Sequence, residues 1–414
     1  MLSLTTMPLP LYAALLSSLL LAGCGQAPGK PPIVLPTPQT AGMHDRHARC
    51  LPQFRLLGEE RWDLSRQFAG VPVGGLSGLD YRAADDRYYL VSDDRSTHDA
   101  ARIYQAQIRY DDTGLHSVSL EQQHYLRTPQ GTTYPSPRST DGHTAVPDPE
   151  ALRLLPGQNA LVWSSEGDFA HGFGPSLTEA GLDGHWRRDW PLPAQLQLPT
   201  DRTTAIGPRN NTTLEGMAID DDRQHLWLAM EGALRQDGPL PRPGHVGGPV
   251  RITQYDLATR QPVRQIAYVP DALPDDRLLL PLIAVNGISE ILADGPHHLL
   301  VLERSYMLGR GFSVRIYRIR TDDAQASDTL HIDTLAPGHY QPVDKTLVLD
   351  LAQAGLATVD NLEAMTWGPP LANGQRVLLL VSDNNFNPAE VTQFVALAET
   401  QRCTAEITAA SSKP

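Results

Sequence analysis

An all-β fold built by radial repetition of short strands is what this sequence predicts, on three observations. First, one short pattern recurs five times: a small or acidic residue beside an apolar one, then a hydrophobic strand ending in a carboxylate. The copies are 74–79 leading to Asp93, 148–152 leading to Glu166, 213–217 leading to Glu231, 287–291 leading to Glu303, and 361–365 leading to Asp383. Aligned on Ser77, Glu150, Glu215, Ser289 and Glu363, the steps are 73, 65, 74 and 74 residues. Second, 35 Pro and 33 Gly among 414 residues favour many turns over long helices. Third, each repeat carries four strand signals, and four-stranded units repeated about an axis make a β-propeller.

In the first repeat the strands are expected at 79–81, 88–91, 102–108 and 116–126, with Ala84-Asp85-Asp86-Arg87 as a tight turn. The third strand returns at 250–255, 314–319 and 392–397. The fifth repeat has no outermost strand of its own, and Phe54–Gly58 or Arg61–Leu64 could complete it. That pairing of N- and C-terminal strands would close a ring of five or six blades. The stretches 128–147, 235–248 and 321–343 are rich in turn formers and read as loops on the faces of the ring.

Outside the repeats, the apolar run Leu9–Leu21 is too short for a membrane span and ends in Leu21-Ala22-Gly23-Cys24. That ending resembles a bacterial lipobox, although no Lys or Arg precedes the run. The expected organisation is a signal peptide at 1–23, a lipid-anchored tether at 24–49, the repeat domain at 50–403 and a tail at 404–414. Cys24 would carry the lipid, which places the chain in the cell envelope, facing the periplasm from the outer membrane. Cys50 and Cys403 flank the repeats and could form a disulfide joining the termini, or remain as two buried thiols. The net charge of −13 argues against a nucleic-acid partner, and the membrane is expected to be reached through the Cys24 lipid alone.

The chemistry gathers at the strand ends. Inner strands of a propeller converge on one channel, so the repeat delivers Glu150, Glu215 and Glu363, then Asp93, Glu166, Glu231, Glu303 and Asp383, toward one mouth. Crowded carboxylates raise one another's pKa unless a cation compensates. Oxygen donors without a His or Cys cluster suit Ca²⁺ better than Zn²⁺. Glu150, Glu215, Glu231, Glu303, Glu363 and Asp383 are therefore the candidate metal ligands. Structural acids capping turn amides are the plain alternative. Arg95 and Arg304 follow acids in their repeats and could fork onto an anionic substrate, with Asn211 and Asn384 beside them. Nucleophile-elbow, zincin, Walker A and dinucleotide patterns are all lacking.

Asn361-Leu362-Glu363-Ala364-Met365 with Leu379–Phe386, Leu214–Ala218 with Glu231, and Leu302-Glu303-Arg304 with Tyr306 together resemble the phytase-like domain known as "esterase-like activity of phytase". The likeness runs from about Gly74 to Ala398 and implies a β-propeller. It implies a Ca²⁺-dependent hydrolase of small anionic phosphate or carboxylic esters. Glu215, Glu231, Glu303, Glu363 and Asp383 would be cation ligands, Glu215 and Glu363 also catalytic, and Arg304 a phosphate contact. Propeller phytases use many lysines, however, and this chain has only Lys30, Lys345 and Lys413, which argues against phytate itself. A lactonase is a close enzymatic alternative. A non-enzymatic, envelope-anchored propeller binding a glycan, peptide or protein is the other.

Overall fold

The computed structural model describes residues 51–201, 203–273 and 284–402. Cys24, Cys50, Cys403 and the expected signal, tether and tail lie outside them.

Among the described residues the strands form five four-stranded antiparallel sheets, the blades of a propeller. Blade 1 is β4 (Leu76–Arg82), β5 (Arg87–Ser92), β6 (Arg102–Asp111) and β7 (Gly114–Tyr125). Blade 2 is β8 (Pro149–Leu154), β9 (Ala160–Ser165), β10 (Ser176–Gly181) and β11 (Trp186–Trp190). Blade 3 is β12 (Leu214–Ile219), β13 (His225–Met230), β14 (Val250–Asp256) and β15 (Gln261–Tyr268). Blade 4 is β16 (Ala284–Ala293), β17 (His298–Met307), β18 (Gly311–Arg320) and β19 (Lys345–Asp350). Blade 5 is β20 (Leu362–Gly368), β21 (Val377–Ser382), β22 (Thr392–Gln401) and, outermost, β1 (Gln53–Trp62). A short hairpin, β2 (Gln67–Phe68) and β3 (Val71–Pro72), leads from β1 into blade 1.

The ring closes as the sequence implies. β1 takes in Phe54–Gly58 and runs on to Arg61 and Trp62 of the second candidate segment, leaving Asp63 and Leu64 outside, and pairs antiparallel with β22 from Gln53↔Gln401 to Trp62↔Thr392. Trp62 packs on Phe394 across the join, with ring centroids 4.7 Å apart. Five blades suffice because the long segments add no sheet of their own. The core lies between neighbouring blades: Leu214, Met217, Trp227 and Ile252 of blade 3 pack with Ile288, Ile291 and Val301 of blade 4, all buried. Strands covered on both faces read as near-continuous apolar runs, such as Val377-Leu378-Leu379-Leu380-Val381.

The inner strands β4, β8, β12, β16 and β20 enclose the channel, and a buried ion pair lies across it. Arg153 of blade 2 meets Glu290 of blade 4 at 2.8 Å, and both side chains are essentially unexposed. The Arg153 guanidinium donates to the carbonyls of Leu79 in blade 1, Ile291 in blade 4 and Met365 in blade 5. Glu290 accepts the amide of Met217 in blade 3 at 2.9 Å. One ion pair thus touches every blade. Removing either partner strands a buried charge, which typically costs about 3–5 kcal/mol. Arg153→Leu is expected to lower the free energy of unfolding by that order in urea melts, and Arg153→Leu/Glu290→Leu by clearly less. Equal losses in the single and double variants would contradict this account.

Candidate active site

The same irregularity occurs in all five inner strands. Where each joins the second strand of its blade, the register slips by one residue at Leu76/Gly78, Pro149/Leu152, Leu214/Met217, Ile288/Glu290 and Leu362/Ala364. Such a β-bulge leaves one residue unpaired and re-aims its side chain. The residues at these slips are Ser77, Glu150, Glu215, Ser289 and Glu363, the positions aligned from sequence. A second set follows the second strands. The amides of Asp93, Glu166, Glu231 and Asp383 donate back to the carbonyls of Gly75, Asp148, Thr213 and Asn361 at 2.6–3.0 Å. Two tiers of five residues therefore surround one mouth of the channel.

Glu303 does not belong to these tiers. In blade 4 the strand ladder pairs Ile288 with Glu303 and Gly287 with Arg304, so Arg304 holds the place of the four acids. Glu303 is the counterpart of Ser92, Ser165, Met230 and Ser382, and alternation turns it away from Arg304. There it pairs with Lys345 and accepts from Tyr268. Lys345 also pairs with Asp271 at 2.8 Å and lies over the rings of Tyr268 and Tyr317. Glu303 thus sits apart from Glu150, Glu215, Glu231, Glu363 and Asp383.

Arg304 reaches both neighbouring blades: its Nη2 lies 3.3 Å from Glu231 of blade 3 and 3.0 Å from Glu363 of blade 5. Its Nε is buried without a hydrogen-bond partner. Seven acids and this one guanidinium occupy the tiers, so the negative charge is far from balanced. The consequence is a shared upward pressure on the carboxyls. Burial, then the charges of Glu231, Glu166 and Glu363, hold Glu215 well above the usual carboxylate range. Burial and Glu215 do the same to Glu150, and burial with Asp93 and Glu363 does so to Asp383. Glu363 is raised by burial, against the pull of Arg304. Glu231 is pushed up to about 7 by burial, partly offset by Arg304. Asp148 likewise reaches about 7 through burial, partly offset by Arg95.

Two carboxylate trios bring ligand atoms within 4.8 Å of one another: Asp148, Glu150 and Glu166, and Glu166, Glu215 and Glu231. They share Glu166 and lie on blades 2 and 3. The donor set is oxygen only, as a hard divalent cation such as Ca²⁺ requires. Beside Glu363, Asn361 donates its amide at 3.0 Å while its buried carbonyl oxygen has no partner. These residues fit a cation. Asp148 was not singled out from sequence as a ligand; the signal available was its place two residues before Glu150 in the repeat.

The remaining expected substrate residues are differently placed. Arg95 stands 3.6 Å from Asp148 and is partly exposed. Asn211 is exposed in a left-handed turn with φ 58°. Asn384 is fully buried, and its Oδ1 accepts the amides of Gly75 and Phe386. At the opposite mouth, a cavity of about 720 Å³ is lined by Asp80, Arg82, Asp220 and Trp367, with Arg153 between it and the acid tiers.

The chain belongs to the Phytase-like family, described as esterase-like activity of phytase, which matches it over residues 71–386. Curated proteins give no match to the sequence. Among solved structures it is similar to an α-L-arabinofuranosidase from Podospora anserina, at 10% identity and a TM-score of 0.41, covering 85% of this chain and 99% of that one. It is also similar to the hydrazine synthase of Kuenenia stuttgartiensis, at 12% identity and a TM-score of 0.34, covering 77% and 81% of the two chains. The Dos1 propeller matches at 6% identity and a TM-score of 0.32, over 84% and 75%. Likenesses this distant carry no argument about chemistry.

The raised carboxyls make metal-free stability depend on pH. Glu231 and Asp148 hold protons up to about 7 when folded and only to the ordinary carboxylate range when unfolded. The folded state then binds more protons, so stability falls as pH rises from about 4 to 7. Chelator-treated protein is expected to unfold at lower urea concentration at pH 8 than at pH 5.5, and Glu231→Gln to reduce the difference. A metal-free midpoint that is flat or rises over this interval would refute the electrostatic reading.

Proposed function

We propose that this protein is a divalent-cation-dependent hydrolase of small anionic esters, with Ca²⁺ as the cation and phosphate or carboxylic esters as the substrate class. The observation that carries the reading is the composition of one channel mouth: seven acids in two symmetric tiers, all but Asp93 buried, and one arginine in the eighth charged place. A purely structural set of turn-capping acids would be met locally by backbone amides. Glu166 does accept the Thr213 amide at 2.5 Å and Asp383 the Asn385 amide at 2.7 Å. Glu150 and Glu215, by contrast, face mainly one another and their acidic neighbours. Membership of the Phytase-like family supports the same reaction class.

Asp148, Glu150, Glu166, Glu215 and Glu231 would hold the cation. When bound it would supply a Lewis acid and a lowered pKa for water at the mouth. The chain's own residues do the rest. Arg304 presents an unused Nε and a guanidinium held between Glu231 and Glu363, suited to binding an ester's anionic oxygens. Glu363, on the Arg304 side of the ring, would take a proton from attacking water. The Arg153–Glu290 pair closes the channel beyond the site and limits access to one mouth.

The test is a thermal melt with added Ca²⁺ and after chelation, for the native sequence and for Glu166→Gln, which alters the ligand common to both trios. A ligand at 100 times its Kd should stabilise by about 2.7 kcal/mol. We expect a Ca²⁺-dependent rise in melting temperature that Glu166→Gln largely removes, with Ca²⁺-dependent release of p-nitrophenol from p-nitrophenyl phosphate or acetate. A shift with no turnover of either ester, nor of a lactone, would favour a cation-dependent binding protein. No shift at all would reject the cation site.

A further inference from the structure

The sectors of the mouth differ. Blades 2 and 3 carry the clustered carboxylates, blade 4 carries Arg304, and the seam between blades 5 and 1 carries an aromatic pair. Phe386 follows Asp383-Asn384-Asn385 beyond β21, and its ring lies over the imidazole of His98, with centroids 4.0 Å apart and planes 19° from parallel. His98 comes from the loop after β5, where the Asp94 carboxylate accepts its backbone amide at 3.1 Å. Phe386 is half-buried and His98 exposed, so the stack is open to solvent.

Its position is fixed by two glycines. A Cβ at Gly75 would overlap the Asp93 carboxylate and approach the Phe386 ring to 3.1 Å, so the aromatic ring borders a member of the acid tier. At Gly74 a Cβ would come within 2.9 Å of the same ring. The backbone is unusual as well. Asn385 and Phe386 both adopt left-handed conformations, with φ 48° and 49°, and a bulky residue there is a genuine outlier. The Asn384 carboxamide holds the turn by accepting the amides of Phe386 and Gly75. Strain of this kind persists only where surrounding structure enforces it, and it concentrates at ligand sites. The ring is half-buried yet keeps part of its surface in solvent beside the acid tier.

We infer that the Phe386–His98 stack is the specificity wall of the acid-lined site, receiving a planar aromatic group carried by the anionic substrate. This rests on the hydrolase reading and names its substrate class: the anionic oxygens meet the cation and Arg304, and the aromatic group lies toward blades 5 and 1. Stacking there adds affinity for flat π-systems beyond the area they bury.

The experiment compares binding of phenylphosphonate and methylphosphonate, neither of which can be hydrolysed as an ester, to the Ca²⁺-loaded protein by calorimetry. The native sequence is expected to bind the phenyl compound roughly tenfold tighter, the order an aromatic contact contributes. Phe386→Leu, which keeps apolar bulk without a π-face, should erase most of that preference, and His98→Ala part of it. Thermal melts of both variants establish that they are folded. Equal affinities in the native protein would overturn the inference and leave the hydrolase reading intact. So would a preference unchanged in both folded variants. Failure of both phosphonates to bind would count against the anionic-ester reading itself, and the specificity wall would fall with it.

Discussion

A single buried ion pair organises this ring. Blades in a propeller pack only on their neighbours, and nothing in that arrangement fixes the height of one inner strand against strands across the axis. The contact of Arg153 with Glu290 does so, because its hydrogen bonds end on blades 1, 3, 4 and 5 as well as on its own. An arginine fits here for a geometric reason: its planar fork can meet several carbonyls and a carboxylate at once. Burial pushes the Glu290 carboxyl up to about 7, even against Arg153, because both side chains are essentially unexposed on the axis. Arg153 stands three residues beyond the bulge residue Glu150 and Glu290 one beyond Ser289, so the pair also sets the depth of the acid-lined mouth.

The bulges convert this register into a site. An unbroken strand would send its residues alternately to either face of the blade. A slip at the same place in all five inner strands instead presents Ser77, Glu150, Glu215, Ser289 and Glu363 to the axis. Symmetry then concentrates like charge, and its breaking matters as much. Blade 4 supplies Ser289 and Arg304 where its neighbours supply acids, and blade 1 supplies Ser77. The mouth is therefore polarised, with its densest carboxylates on blades 2 and 3 and its cation on blade 4.

Much of this was legible in the sequence, for physical reasons. The repeat and its spacing identified the propeller, because each blade must bury the same faces and turn at the same places. The missing outer strand of blade 5 pointed to closure by the N-terminal strand, since an open edge would leave a ladder unpaired. The bulge residues were visible as aligned positions. What failed was parity: taking Glu303 as the acid ending its strand put it one residue out, and a shift of one turns a side chain to the other face. In blade 4 the second strand runs on to Met307, so no strand end marks the equivalent place. Asp148 and the Phe386–His98 stack were not legible as site features, because their roles depend on contacts between blades rather than on any local pattern.

The acid tiers also show why this mouth would be a poor structural solution if nothing bound there. Bringing Glu150, Glu215, Glu231 and Glu363 out of water beside one another opposes folding, and one guanidinium cannot neutralise them all. Proton uptake can relieve the repulsion only by leaving several carboxyls protonated at pH values where exposed acids are fully ionised. A divalent cation would relieve it without that restriction. The fold tolerates the mouth because its stability comes from elsewhere, from apolar packing between blades, the ladder of β1 on β22, and the ion pair on the axis. Such separation is expected where a site is strained and its scaffold is not.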